Sequence, residues 1–180
     1  MKKFSPLSVL LVLLAVSSGC ALGGTKGETM EIKSAVFKDG ESLPQRSGYR
    51  NENLSPQLEW SGAPSGTASF AMIVDDPDAP SGNWVHWVIY NIPGTVTALK
   101  EGVPKQTVLS DGSRQGTNDF NMEGYDGPSP PPGPAHRYVF TVYALDSALT
   151  FTGKVTRKEL LRKMEGHILG KGVLTGLFKR

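Results

Sequence analysis

Cysteine is almost absent: the 180 residues contain one, Cys20. A single thiol excludes an internal disulfide and a thiolate metal cluster. Long hydrophobic runs are missing too. The apolar stretch Leu7–Val16 is about half the length that a membrane-spanning helix needs, and no second such run follows it. Nor does one sign of charge prevail. Lys and Arg number 19 against 17 Asp and Glu, and taking away Lys2 and Lys3 leaves 17 against 17. Such a balance offers no basic surface for nucleic acid. There is no internal repeat of 20–50 residues, no G-x-S-x-G nucleophile elbow, no phosphate-binding glycine loop and no His-x-x-x-His pair. What is present, 38% hydrophobic and 20% charged residues, fits one soluble domain and argues against disorder.

The N-terminus has the layout of an export signal: Lys2 and Lys3, the apolar run, then Ser17, Ser18, Gly19 and Cys20. The expected organisation is a signal peptide over 1–19, a flexible tether over 20–29 and a domain over 30–180. The segment ending at Cys20 resembles a bacterial lipobox, in which the cysteine is lipidated and becomes the new N-terminus. Ser17 stands where Leu is usual, with Val16 one residue earlier. Cleavage after Ala21 by ordinary signal peptidase, with Cys20 incidental, is the competing reading. Either places the protein in the bacterial cell envelope: anchored to a membrane through the lipid, or else periplasmic or secreted.

The rest reads mainly as strands. Met30–Phe37 alternates in part, with Met30, Ile32 and Val36 opposite Glu31, Lys33 and Phe37. Phe70–Val74 and Trp84–Ile92 are apolar runs suited to buried strands. Tyr138–Leu145 alternates most cleanly, with Tyr138, Phe140, Val142 and Ala144 on one face. Segments rich in Pro and Gly separate these runs. One helix is signalled by the capping box Thr156–Glu159 and the apolar stripe Leu160, Leu161, Met164 and Ile168, with Gly170 as its stop. Gly172–Phe178 follows as a short last strand. The expected fold class is all-β, a β-sandwich with a C-terminal helix.

Chemistry must come from the polar residues near the Pro-rich loops. Asp75, Asp76 and Asp78 follow directly on a buried strand, where an acidic cluster is normally turn chemistry. Calcium fits poorly, because Pro80 and Ser81 stand where an EF-hand loop would need a ligand and a glycine. His86 begins an apolar strand on which period 2 would align Trp84, His86 and Val88. It reads as a hydrogen-bonded core residue or as a ligand-binding group. His136 shares a strand face with Tyr138 and follows Pro130-Pro131-Pro132-Gly133, a rigid spacer or docking segment. His167 completes the helix dipole and carries no assigned chemistry.

Taken together these segments are specific. Asp76-Pro77-Asp78-Ala79-Pro80, Trp84-Val85-His86-Trp87, Gly127-Pro128 with Pro130-Pro131-Pro132-Gly133, and His136-Arg137-Tyr138 resemble the phosphatidylethanolamine-binding protein family. Asn53-Leu54-Ser55-Pro56, Asn118-Asp119, Gly124-Tyr125 and Gly166-His167-Ile168-Leu169 resemble its bacterial Raf-kinase-inhibitor-like branch. The resemblance runs from about Ile32 to the C-terminus. It implies a Greek-key β-sandwich whose loops converge on one small anion pocket. Carried over by position, the pocket falls on Asp76, His86, His136 and Tyr138, with Pro130 and Pro131 as a wall and Asp78 as a nearby acid. Ser129 stands where bacterial relatives often have Cys. The long C-terminal extension of eukaryotic members has no counterpart before Arg180, so their kinase-regulator roles are not carried over.

The reading that follows is an exported module binding phosphate or phosphorylethanolamine, with no cofactor, no metal and no catalysis; the resemblance also admits a homodimer. Imidazole N–H groups and a tyrosine hydroxyl can donate to phosphate oxygens. Two alternatives stand beside it. One is a metal-dependent hydrolase with Asp76, His86 and His136 as three ligands of an open site. The other is an inhibitor of a protease or kinase acting through an exposed loop such as Asp111–Gly127.

Overall fold

In the computed structural model, which describes Met1 and residues 27–180, four long strands carry the architecture. They are β4 (Ser69–Asp76), β5 (Trp84–Pro93), β8 (His136–Leu145) and β9 (Ile168–Phe178). The shorter elements are β1 (Glu28–Thr29), β2 (Glu31–Lys33), β3 (Leu58–Ser61), β6 (Ala98–Leu99), β7 (Arg114–Gln115) and helix α1 (Arg157–Met164). One sheet runs β1-β9-β8-β4-β5-β7 and a smaller one β2-β3-β6. The chain is thus mostly β with one helix, as the composition of its strands leads one to expect. The expected signal peptide and Cys20 lie outside the described residues. No helix among the described residues is long and apolar enough to cross a membrane.

Alternation in β8 explains the layering. Tyr138, Phe140, Val142 and Ala144 turn to one side, where they join Met30, Ile32, Leu58 and Trp60 from the small sheet and its flank in one buried cluster. On the other side of the large sheet, Ala71, Ile73, Val88 and Tyr90 pack with Leu160 and Met164 of α1. β4 feeds both clusters. Its Phe70–Val74 segment is buried on both faces, which is why it reads as a continuous apolar run.

Several expectations need correction. α1 ends at Met164, and Gly166, at φ +80°, makes the turn that Gly170 was expected to make. Ile168 therefore starts β9 and does not extend the helical stripe, and the helix is followed by an eleven-residue strand. The glycines of β9 answer a different need. A Cβ at Gly172 would lie 2.6 Å from the Met30 carbonyl oxygen, and one at Gly176 would lie 2.5 Å from Leu43 Cδ2. At the other end, Glu28 and Thr29 pair in parallel with β9, so the ordered domain takes in the last residues of the expected tether. The alternating segment Met30–Phe37 is a strand only as far as Lys33, and Phe37 turns into the core.

The most consequential correction is in β5. Val74 pairs with Trp87 and Asp75 with Val85, so His86 is an extra residue opposite no partner. This β-bulge breaks the period of 2. Trp87 and Ile89 face the inter-sheet cluster while Val88 faces the helix side, so Val88 does not share a face with His86. The bulge re-aims the histidine at the end of the strand, next to the loops.

Candidate functional site

The end of β4, the bulge of β5 and the start of β8 meet at a cavity of about 270 Å³. Asp76, His86, His136, Tyr138, Pro130 and Pro131, to which the family resemblance points, all line it. Ligand cavities of drug-sized molecules span roughly 300–1,000 Å³, so this one suits a small ion or a headgroup.

Asp76, His86 and His136 are each held by a hydrogen bond within the protein. Asp76 is buried; its Oδ2 accepts from His136 Nδ1 at 2.8 Å and its Oδ1 accepts from the Asp78 amide at 2.9 Å. The acidic cluster is therefore both turn chemistry and part of the site. His86 Nδ1 donates to the Asp126 carbonyl oxygen at 2.6 Å. Because a carbonyl can only accept, this bond puts a proton on Nδ1 and leaves Nε2 as the uncommitted nitrogen. The same logic applies to His136, whose Nδ1 faces a carboxylate. Burial pushes the His86 pKa below its ordinary value, against the opposing pull of the Asp126 carbonyl and the Asp76 charge. Tyr138 completes the set. Among the described residues its buried hydroxyl makes no hydrogen bond of good geometry, although the Asp76 carboxylate lies near enough to act on it. Burial, and then the neighbouring Asp76 carboxylate, raise its pKa far above the usual phenol value, so the hydroxyl keeps its proton and can donate.

Aromatic rings shape the walls. His86 meets Tyr138 edge to face at 5.1 Å and Phe120 at 5.5 Å. Phe120 also stacks on Tyr49 at 4.8 Å and meets Trp84 edge-on at 5.5 Å. Tyr49, Arg50 and Phe120 were not anticipated as site residues. They come from irregular loops, where no periodicity marks an inward face; only the neighbouring Asn118-Asp119 hinted at Phe120.

Behind the cavity lies a polar network. The buried Asp126 accepts from Asn118 Nδ2 at 2.8 Å, Lys105 Nζ at 2.5 Å and Asn53 Nδ2 at 3.0 Å. Its amide donates to the His86 carbonyl at 3.0 Å. Asp119 adds a bond from the Val85 amide at 2.8 Å. The segment after β7 is thereby tied to the bulge at Val85 and at His86 itself. This corrects the expectation that Asp111–Gly127 is one exposed loop: it contains β7, and Gln115–Asn118 and Gly124–Gly127 are buried.

Asp78 does not line the cavity. Its carboxylate takes Arg137 Nε at 2.9 Å, Nη2 at 2.7 Å and the Arg137 amide at 2.9 Å. These bonds hold its pKa down at about 2. His167 sits outside α1, between Asp146 at 2.8 Å and Ser147 at 3.2 Å. Among the described residues, no group of three or more His, Cys, Asp or Glu side chains is placed to hold a metal ion. The hydrolase alternative thus finds no three-ligand cluster at Asp76, His86 and His136.

The arrangement presents a tyrosine hydroxyl donor and two imidazole Nε2 edges, which donate when the rings are protonated, to a small, largely aromatic cavity; such donors suit oxyanion oxygens. The chain is similar to proteins already known. A family model described as "Phosphatidylethanolamine-binding protein" matches residues 33–179. A UPF0098 protein of Methanothermobacter thermautotrophicus is 48% identical over 151 residues, covering 84% of this chain and 99% of its own length. The UPF0098 protein YbhB of Escherichia coli is 44% identical over 124 residues, covering 65% and 78%. The crystal structure of E. coli YbcL, described as a new member of the mammalian PEBP family, superimposes with a TM-score of 0.78 at 34% identity, covering 84% of this chain and 98% of that one.

Proposed function

Because the chain belongs to the phosphatidylethanolamine-binding protein family, we propose that its cavity binds a small phosphate-bearing anion without transforming it. Inorganic phosphate and a phosphorylethanolamine headgroup share the chemistry required. One observation carries the reading: among the described residues the buried Tyr138 hydroxyl, which lines the cavity beside the Asp76 carboxylate, makes no hydrogen bond of good geometry. An unsatisfied buried donor costs about 1–3 kcal/mol, a cost that a bound oxygen acceptor removes. The uncommitted Nε2 atoms of His86 and His136 supply two further donors when protonated. Asp76 fixes the His136 ring by accepting its Nδ1 proton.

The proposal includes the finer reading of the chain: the bacterial Raf-kinase-inhibitor-like branch, Greek-key connectivity, and export with a lipid on Cys20. A domain held at a membrane surface by that anchor would meet lipid headgroups directly. Stable anchoring needs more than one acyl chain, which a lipoprotein cysteine carries. Intact mass of the mature protein tests the anchor, an unmodified N-terminus at Leu22 excluding it.

A crystal grown with phosphate and inspected at the cavity tests the binding. Phosphate oxygens within hydrogen-bond distance of Tyr138 Oη and of both Nε2 atoms support the reading. Phosphate bound only elsewhere overturns it.

A further inference from the structure

A second cavity of about 320 Å³ adjoins the first, and the two share Arg50 and Ser129 in their linings. The residues that build the shared ridge are clamped together. The Tyr49 amide donates to the Pro128 carbonyl at 2.9 Å, and a Cβ on Gly127 would lie 1.8 Å from the Ser47 carbonyl oxygen. Only glycine allows the segment before the prolines to approach the 47–50 loop this closely. Arg50 and Ser129 are thus carried on two loops fixed against each other.

The charges of this second cavity are of one sign. Arg50, Lys179 and Arg180 line it, together with Asn51 and the Phe178 ring, and no acidic side chain does. None of the three cations makes an ion pair with a carboxylate side chain among the described residues. Counting the α-carboxylate of Arg180 against them still leaves a surplus of positive charge. In a chain whose charges otherwise balance closely, this is a local concentration, and it borders the cavity that holds the unpartnered Tyr138 hydroxyl.

We propose that the second cavity is an anion subsite, and that the ligand class is a phosphate ester whose substituent carries a further negative charge. The phosphate group occupies the Tyr138 cavity, the substituent passes Ser129 and Arg50, and its anionic end lies against Lys179 and Arg180. A substituent ending in an ammonium gains nothing on this path, because the cations repel it. The inference rests on the phosphate reading of the first cavity and adds a specificity to it.

Calorimetric titration with defined probes separates the two. Inorganic phosphate titrated into the Lys179→Ala/Arg180→Ala double variant reports the first cavity. A series of alkanediyl bisphosphates from two to six carbons, each matched with the alkyl monophosphate of the same length, reports the second. The expected result is that at least one bisphosphate binds roughly threefold to tenfold more tightly than its matched monophosphate. Raising the ionic strength from 0.01 to 0.15 M should shrink that gain, as the screening length falls from about 30 to 8 Å. The Lys179→Ala/Arg180→Ala double variant, altered only at exposed positions, should lose the gain while keeping its affinity for phosphate. Phosphate binding with no gain at any chain length overturns the second subsite and leaves the first reading standing. No phosphate binding at all overturns the first reading and this one with it. A gain that survives in the double variant places the second anion elsewhere and also overturns the assignment.

Discussion

His136 donates its Nδ1–H to Asp76 Oδ2 at 2.8 Å, both side chains buried where the start of β8 lies beside the end of β4. With Oδ1 accepting the Asp78 amide, the carboxylate is fixed at both oxygens and dictates the histidine tautomer. Asp76→Ala leaves the Asp78 amide and the imidazole short of an acceptor, and should lower stability by about 1–3 kcal/mol in urea unfolding. Asp76→Asn keeps the shape, but its amide group can offer the ring a donor. The proton should then move to Nε2 of His136, which imidazole nitrogen NMR reads directly.

Tyr138→Phe should behave unlike most core substitutions. Among the described residues the hydroxyl makes no hydrogen bond of good geometry, so removing it leaves the stability of the ligand-free protein unchanged or raises it by up to about 1–3 kcal/mol. A hydroxyl that served the fold would give the opposite sign. Thermal unfolding in a buffer free of phosphate and sulfate is the measurement.

The pH dependence follows from His86. Its folded pKa lies below the ordinary value of 6.5, so between the two the unfolded chain holds more protons. Its contribution to stability is therefore fully present above about 6.5 and is lost as pH falls through the folded pKa. Anion binding runs the other way, since Nε2 donates only when the ring is protonated. Sulfate, whose charge is constant over this range, should bind more weakly as pH rises, with proton uptake on binding. His86→Gln should flatten both profiles; profiles identical to wild type would remove His86 from the site.

Asp126 never touches the cavity, yet its carbonyl orients His86 and its carboxylate gathers Asn118, Lys105 and Asn53. Asp126→Ala leaves buried amide donors without an acceptor and should cost about 2–3 kcal/mol. His167→Ala, remote from the cavity and held by Asp146 and Ser147, should leave phosphate affinity nearly unchanged.

The long strands were legible because burial writes itself into them: the β8 alternation survives intact from Tyr138 to Ala144, and the all-apolar segment of β4 is covered on both faces. The site residues were legible as a set only through the family resemblance, since read singly Asp76 is turn chemistry and His86 a core histidine. What escaped was whatever breaks a period. His86 sits in a bulge, and counting by twos put Val88 on the wrong face. Ile168 continues a helical spacing by coincidence, while Gly166 had already turned the chain. Gly170 looked like a stop because its reason, the close approach of the Glu28 carbonyl and of Pro64, is tertiary. Tyr49, Arg50 and Phe120 reach the cavity from irregular loops, which carry no periodic signal to read.

The central claim is that the Tyr138 hydroxyl and the two histidines form a phosphate site, and one titration addresses it most directly. Inorganic phosphate should be titrated by calorimetry into the wild type, Tyr138→Phe and His136→Ala, with His167→Ala as control. Loss of a hydrogen bond to a charged group costs about 1.5–3 kcal/mol, so the first two variants should bind roughly tenfold to over a hundredfold more weakly. The control should match wild type. Equal affinity across all four proteins, or no binding to the wild type, would contradict the account.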